Sequence, residues 1–112
     1  MAIMLNFAFS TSDEIAAELG MRLRACRLSQ LLTQADLAAR AGVSVGTVKA
    51  LEKTGQSSVA SLVQVSQALG LTDQLQTLFV LKVQSIADME QAQLAQRQRA
   101  PRKARTSRRN QT

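Results

Sequence analysis

Residues 33–55 constrain the fold more than any other part of the chain, and their sequence is TQADLAARAGVSVGTVKALEKTG. Thr33 is a favourable N-cap residue, and Asp36 three positions later completes the pattern that opens a helix. Gly42 can adopt the left-handed backbone conformation that ends this helix at little cost. Ser44 is the N-cap of a second helix. The stretch therefore predicts two short helices joined by a tight turn.

The composition excludes several kinds of functional site. The chain has 112 residues, enough for one small domain, and it contains no His and one Cys. A zinc site, a His-based catalytic site and an internal disulfide are therefore ruled out. The sequence also has no nucleophile–base pair, phosphate-cradling Gly loop or carboxylate dyad at workable spacing. We accordingly expect neither an enzyme nor a bound cofactor or metal.

The apolar runs and the first residues bear on location. No apolar run approaches the roughly 20 residues of a membrane span. The start, MAIMLNFAF, lacks the basic segment and the cleavage site of a secretory signal. We expect a cytoplasmic protein.

The formal charge of +6 is unevenly distributed along the chain. Residues 1–96 contain seven Lys or Arg and eight Asp or Glu, a net charge of −1. Residues 97–112 contain no acid and carry a net charge of +7, from Arg97, Arg99, Arg102, Lys103, Arg105, Arg108 and Arg109. The composition of this tail is that of a disordered arm. The rest of the chain must bind any anion through individually placed groups rather than through bulk charge.

Capping residues and apolar periodicity predict three further helices around the central pair. Thr11 and Glu14 form a capping box before a first helix, whose apolar side is Ile15, Leu19, Leu23 and Cys26. Ser57 or Ser58 caps a fourth helix, and Gly70 ends it. Thr72 or Asp73 opens a fifth helix, whose core-facing residues are Leu75, Leu78 and Phe79.

The two ends of the chain have weaker patterns. Apolar residues alternate over residues 3–9, which predicts a short strand. Residues 80–83 are compatible with either an extension of the fifth helix or a second strand, and Ser85 caps a last short helix. We therefore predict an all-α fold with a strand or arm at residues 1–10 and a five-helix body at residues 11–83. A short helix at residues 84–96 and a disordered basic tail at residues 97–112 follow.

Residues 34–52 resemble the helix-turn-helix of the Cro/C1 repressor family, often called XRE. The matching features are Gln34, Leu37, Ala38, the sequence AGVS at residues 41–44, Val48, Leu51 and Glu52. The neighbouring sequences LGMRLRACR and SLVQVSQALG also fit, so the resemblance covers about residues 14–80. It implies a Cro/C1-type DNA-binding domain at residues 11–83.

The resemblance assigns roles to individual residues. In helix-turn-helix docking the second helix enters the major groove, and the first lies across the phosphate backbone. By family position, Thr33 and Gln34 contact a phosphate. The residues that face the bases are Ser44, Val45, Gly46, Lys49 and Ala50. Thr47 and Lys53 contact the DNA backbone. Arg27 and Glu52 match positions that form a partly buried ion pair, which supports the fold. Val45 has an alternative role, because its spacing from Val48 would also suit inward packing.

The second helix departs from the family on its outer side. The family often has Arg or Gln where this chain has Val45, Gly46 and Ala50. Val45 can contact a thymine methyl, Lys49 can donate to guanine, and Gly46 allows a close approach. We therefore expect a DNA-binding surface that depends on shape and methyl contacts more than on hydrogen bonds.

The resemblance implies a sequence-specific repressor of double-stranded DNA. We expect a homodimer on a palindrome with half-sites about 34 Å apart, and the candidate interfaces are residues 3–9 and residues 79–83. The order of strand-like start, helical body, SIADMEQ segment and Arg-rich tail also resembles HipB-type antitoxins, which implies an autoregulating partner of a HipA-like kinase toxin. Two alternatives stay open: a stand-alone or phage-type regulator, and a protein- or RNA-interaction module that acts through its tail.

Overall fold

The computed structural model describes residues 5–82 and 86–111, with side chains as far as residue 98. The described residues contain no strand, and their helices are α1 (Ser12–Ser29), α2 (Gln34–Ala41), α3 (Val45–Thr54), α4 (Val59–Ala68), α5 (Thr72–Gln76) and α6 (Ile86–Gln111). The chain divides into two units, Met1–Leu78 and Phe79–Thr112. None of the helices in the described ranges has the length and apolarity needed to cross a membrane.

The first unit is built on one core between α1, α2, α3 and α4. Leu37 of α2, Val48 of α3 and Val65 of α4 have the most completely buried large side chains. The other buried apolar residues are Leu23, Leu32, Ala38, Ala41, Leu51 and Leu69. Because α3 packs against α1, α2 and α4, its inner side is covered and its orientation is set by three neighbours.

The predicted N-caps of α1 to α4 form where the sequence indicates them, whereas α5 begins after Leu71 without a side-chain cap. Thr11 and Thr33 both make complete capping boxes with the acidic residue three positions later. Ser44 accepts a hydrogen bond from the N–H of the third residue of α3, and Ser58 does the same for α4. Of the two candidates for the fourth helix, Ser58 is therefore the cap. Each of these bonds satisfies a main-chain donor that a helix start would otherwise leave unpaired.

The turn between α2 and α3 has the predicted conformation. Gly42 is left-handed, with a φ of 72°, and its N–H donates to the carbonyl of Ala38. The N–H of Val43 also donates to Ala38, at 3.1 Å. Ser44 follows as the cap of α3, so three residues suffice to reverse one helix into the next.

Two glycines that the sequence analysis did not single out set the distance between α1 and α3. A Cβ at Gly20 of α1 would overlap the backbone carbonyl of Leu51. Gly55, which ends α3 with a φ of 78°, lies equally close to the backbone of Ala16. The two helices therefore touch backbone to backbone, an approach that a side chain at either position would prevent.

The predicted N-terminal strand is wrong for the described residues. Phe7–Phe9 forms a 3-10 helix, and Asn6 caps it by accepting from the N–H of Ala8 at 3.0 Å. The guanidinium of Arg22 lies over the Phe7 ring, 5.0 Å from its centroid. An isolated strand has no partner for its main-chain groups, whereas this local turn pairs some of its own. Residues 3 and 4, part of the same prediction, lie outside the described residues.

The end of α5 also differs from the prediction. The helix begins at Thr72 but ends at Gln76, and Leu78 and Phe79 do not face the core, being 49% and 92% exposed. The backbone leaves the helical conformation at Thr77, with a φ of −107° and a ψ of 0°, and Phe79, with a left-handed φ of 59°, does not let the helix resume. Residues 80–82 are neither helix nor strand, and residue 83 lies outside the described residues.

One long helix, α6, covers the segments predicted as a short helix and as a tail. It runs from Ile86 to Gln111, and the predicted cap at residue 85 lies outside the described residues. Ala, Arg and Gln have good helix propensity, which accounts for helical backbone over the tail. The tail also contains Pro101, like charges and no apolar stripe, and such a helix is only marginally stable without packing. Disorder of residues 97–112 in solution therefore stays a prediction.

Candidate nucleic-acid interface

The first turn of α2 presents two unpaired main-chain donors. Thr33 Oγ1 accepts from the N–H of Asp36 at 3.0 Å, and Asp36 Oδ2 accepts from the N–H of Thr33 at 3.0 Å. The main-chain bond from Thr33 lowers the pKa of Asp36, so this carboxylate is ionised at neutral pH. In the described part of the chain, the N–H groups of Gln34 and Ala35 have no partner. The donors available to an anion are therefore those of Gln34 and Ala35, and not that of Thr33.

A buried network joins this turn to α1 and α3. Arg27 Nε donates to Glu52 Oε2 at 2.7 Å, and Arg27 Nη2 donates to Glu52 Oε1 at 3.0 Å. Arg27 Nη1 donates to the carbonyl of Leu32 at 2.8 Å. Gln34 Nε2 donates to Glu52 Oε1 at 3.1 Å. Glu52 is thus shared between the arginine of α1 and the first residue of α2.

The electrostatics of this network keep both charged groups ionised. Burial raises the pKa of Glu52, but the hydrogen bonds from Arg27 and Gln34 outweigh that effect and leave its pKa below the ordinary value. The hydrogen bond to Glu52 raises the pKa of Arg27. Arg27 is 6% exposed and Glu52 is 5% exposed, and no buried side-chain polar atom among the described residues lacks a partner. The pair is electrically neutral overall and holds the helices in place without charging the surface.

The polar side chains at the start of α3 bond mainly to each other. Ser44 Oγ accepts from the N–H of Thr47 at 3.0 Å, and the two hydroxyl oxygens lie 2.9 Å apart. These are two of the residues to which the sequence analysis assigns DNA contacts. Ser44 Oγ caps the helix, and one of the two hydroxyl hydrogens lies in the bond between the oxygens, so one O–H donor at the start of α3 remains for a phosphate or a base.

The outer side of α3 carries two lysines among small and apolar residues. Val45, Lys49 and Lys53 follow at intervals of four residues and lie along one side of the helix, all of them exposed. Val45 is 37% exposed while Val48 is fully buried, so the alternative of an inward-packed Val45 is wrong. Within the described ranges, neither ammonium group lies within 4.0 Å of a carboxylate. Both lysines are therefore available to a phosphate or a base.

Gly46 stands in open space beside this row. A Cβ at Gly46 would have Ser44 Oγ, at 3.8 Å, as its nearest neighbour, which is ordinary contact distance. The fold therefore does not require a glycine here, in contrast to Gly20. Glycine within a helix is less favourable than alanine by about 0.5–1 kcal/mol, so its benefit has to lie outside the folded chain. A closely approaching partner surface is the kind of benefit that the absence of a side chain provides.

The comparisons with known proteins agree with this geometry. Residues 23–76 match the sequence model of a helix-turn-helix family, of the Cro/C1 or XRE type. The matched segment begins within α1, ends with α5 and spans just under half of the chain. A comparison with curated proteins finds no significant match.

The fold and the family match together define the class of this domain. The helical bundle with its α2–turn–α3 pair has the fold of a Cro/C1-type helix-turn-helix domain, the family whose model residues 23–76 match. Domains of this family bind DNA and regulate transcription, and the family is not one of enzymes. The role of a DNA-binding regulator is accordingly supported for this chain. The individual contacts assigned to Thr33, Gln34, Ser44, Val45, Gly46, Thr47, Lys49 and Lys53 stay predictions.

Three features of the site escaped the sequence analysis. The Gln34–Glu52 hydrogen bond joins residues 18 positions apart, and neither residue type signals it. The bond from Arg27 to the Leu32 carbonyl involves a main-chain atom, on which sequence has no bearing. Gly20 did carry a signal, because a glycine in the middle of a capped helix needs a reason, and close packing is the usual one.

Proposed function

We propose that this protein is a sequence-specific repressor that binds double-stranded DNA as a homodimer. The observation that carries the proposal is the outer side of α3. There the exposed, unpaired Lys49 stands beside the side-chain-free Gly46, while the unpaired donors of α2 lie at the other end of the same motif. Such an arrangement suits a helix in the major groove whose neighbour holds the phosphate backbone.

Selection of bound duplexes from a random pool tests this proposal directly. We expect an inverted repeat with half-sites about 10 base pairs apart, because a two-fold dimer presents two copies of α3 one helical turn apart. Lys49→Glu should abolish the enrichment, whereas Arg24→Glu makes the same charge change at an exposed residue of α1 to which no DNA contact is assigned and should preserve it. Recovery of no preferred sequence, or equal behaviour of the two variants, would refute sequence-specific binding through α3.

The homodimer is supported by exposed apolar side chains within residues 78–81. Leu78, Val80 and Leu81 are 49%, 60% and 69% exposed, an unusual density of exposed aliphatic side chains. The other predicted interface, residues 3–9, was based on a strand that needs a partner. Because Phe7–Phe9 forms a 3-10 helix, that reason no longer applies. Sedimentation at tens of micromolar without DNA should give a dimer, and Val80→Asp with Leu81→Asp should give a monomer.

The narrower proposal is that of an autoregulating antitoxin for a HipA-like kinase toxin. It rests on the order of segments along the chain. The strand of that order is not found, but the helical body and the basic C-terminal segment still match it. Co-expression with the product of the adjacent reading frame, followed by purification, decides it. A stable complex is expected for an antitoxin, and none for a stand-alone or phage-type regulator.

The alternative from a different class is a protein- or RNA-interaction module that acts through the tail. The charge separation favours it, because +7 of formal charge lies in residues 97–112. In that case a peptide of the tail alone would retain binding, and duplex sequence would not matter. The selection experiment separates the two functions, since the module would enrich no duplex.

A further inference from the structure

The turn after α1 contains a leucine in a backbone conformation that glycine usually adopts. Leu31 is left-handed, with a φ of 58°, and its side chain is 92% exposed. The left-handed conformation brings Cβ close to the following carbonyl oxygen, so it is unfavourable for a residue with a side chain. An exposed side chain adds no core packing in return. The fold of the single chain therefore gains nothing from a leucine at this position.

The end of α4 forms the same turn with a glycine. The N–H of Leu31 donates to the carbonyl three residues earlier at 3.0 Å, and the next N–H donates to the carbonyl five residues earlier at 3.2 Å. At the end of α4, Gly70 and the residue after it make the same two bonds, at 3.0 and 2.9 Å, and Gly70 has a φ of 77°. Both turns are Schellman motifs, in which this position is usually glycine. The side chain of Leu31 is thus an addition that the turn does not require.

The two turns are neighbours on the surface of the first unit. Gln30 Nε2 donates to the carbonyl of Leu69 at 2.8 Å, and this bond joins the residue before one turn to the residue before the other. Leu31 projects from its turn into solvent. A Cβ at Gly70 would meet no atom of the described residues within 4 Å, its chain neighbours aside. An apolar protrusion therefore lies beside an open stretch of surface that has no side chain.

The sequence around both turns is uncharged. Residues 28–32 and 66–72 contain no Asp, Glu, Lys or Arg. Leu28 contributes a second apolar side chain, which is 46% exposed. Centres of protein interfaces are depleted of charged residues, so this composition suits contact with another uncharged protein surface.

We propose that residues 28–32 and 66–72, here called the leucine surface, bind the same surface of a second copy of this chain. In a two-fold pair each contact occurs twice, so the Leu31 of each copy lies over the Gly70 turn of the other. One leucine buries too little area for a useful contact with an unrelated partner, whereas the two-fold arrangement doubles that area. Interfaces that bury less than about 1,200 Å² are weak, so we expect association at submillimolar concentration.

Sedimentation of a full-length variant isolates this contact from the dimer interface proposed within residues 78–81. The chain with Val80→Asp and Leu81→Asp should be monomeric at tens of micromolar and dimeric at submillimolar concentration. Adding Leu31→Asn should weaken the association at least about tenfold, because two leucine side chains lose their burial. The contact needs no DNA, so its result is independent of DNA binding.

Two controls keep the fold and general stickiness apart from the contact. Asparagine tolerates the left-handed conformation, so Leu31→Asn should unfold at the same denaturant concentration as the parent chain or at a higher one. Val59→Asn makes the same kind of change at an apolar residue that is 77% exposed, at the start of α4, and should leave the association unchanged. A destabilised Leu31→Asn would mean that the leucine serves the fold. That result, or equal association with and without Leu31, would overturn the proposal.

NMR spectra recorded on dilution of the wild type locate the contact. Amide resonances of the leucine surface should shift between submillimolar and tens of micromolar concentration, with Gly70 among the most affected. The same resonances should not shift in Leu31→Asn. Concentration-dependent shifts confined to other residues would refute the leucine surface. If the wild type is a monomer at tens of micromolar yet shows the expected shifts, the dimer proposed through residues 78–81 fails and the leucine surface stands.

Discussion

The α carbon of Gly20 in α1 lies against the backbone carbonyl of Leu51 in α3, closely enough that a Cβ would overlap the oxygen. This contact sets how far α3 stands out from the body of the domain. We expect Gly20→Ala to lower the free energy of unfolding by about 1–3 kcal/mol, although alanine is the better helix former, because the helices must move apart. Denaturant unfolding measures the change. If the variant is as stable as the wild type, α1 and α3 can move apart at this contact without a cost in free energy.

Gly46→Ala should have the opposite effect on stability and an adverse effect on binding. The added Cβ meets only Ser44 Oγ, at 3.8 Å, so the variant should gain about 0.5 kcal/mol of unfolding free energy. The same methyl group should weaken DNA binding if Gly46 lies where the DNA approaches. Unfolding and duplex affinity are measured on the same preparation. A gain in stability with unchanged affinity would place the DNA elsewhere on α3.

The two exposed lysines of α3 should differ in what their loss does. Lys49→Ala should weaken specific binding by about 1–3 kcal/mol and relax the preference at one base position per half-site. Lys53→Ala should weaken binding to all sequences alike and reduce the salt slope by about 1. Competition assays with a panel of point-mutated sites supply both readouts. Identical changes in the two variants would mean that both side chains contact phosphates.

The tail should contribute salt-dependent affinity without changing the preferred sequence. The remaining residues 1–96 carry a formal charge of −1, so truncation before Arg97 removes all of the excess positive charge. Each phosphate contact adds about −0.9 to the slope of log K against log salt, and the truncated protein should therefore show a shallower slope. A full-length variant with all seven cations of the tail changed to Gln is the matched control for length. An unaltered slope combined with loss of a co-purifying protein would assign the tail to a protein partner.

The free energy of unfolding should decrease as the pH is lowered, over a range set by the pKa of Glu52. Its folded-state pKa lies below the ordinary value of about 4.3, so its stabilising effect is complete above that value and is lost as pH falls through the folded-state pKa. Unfolding free energies measured from pH 6 downwards should decrease for the wild type and less steeply for Arg27→Met with Glu52→Met. Asp36 shifts in the same direction, so Asp36→Asn serves as the second control. Parallel curves for the wild type and the double variant would exclude Glu52 as a source of the pH dependence.

Helix starts were the part of the fold most accessible from sequence. Thr11, Thr33, Ser44 and Ser58 each satisfy a donor within three residues of themselves, so the information lies within the segment that folds. The left-handed Gly42 is a further local feature. The α2–turn–α3 motif could be predicted because it consists of such local features, which follow one another along the chain.

Features that depend on distant partners were less accessible. The alternation over residues 3–9 suits a strand only if another strand lies beside it, and Phe7 instead contacts Arg22 in α1. The apolar Leu78 and Phe79 fit a helical stripe, but the helix ends before reaching them. At the site, lysines on α3 were predictable from spacing, whereas the sharing of Glu52 between Arg27 and Gln34 depends on how three helices meet.

The joint burial of Arg27 and Glu52 also restricts how this sequence can change over evolutionary time. Replacing either residue alone leaves the other as an unpaired charge in the core, at a cost of about 3–5 kcal/mol. That is a large share of the 5–15 kcal/mol by which domains are typically stable. Relatives that retain one member of the pair and not the other should accordingly be scarce. Descendants of this chain are expected to keep both residues or to have exchanged both in close succession, so the two positions should vary as a single inherited unit.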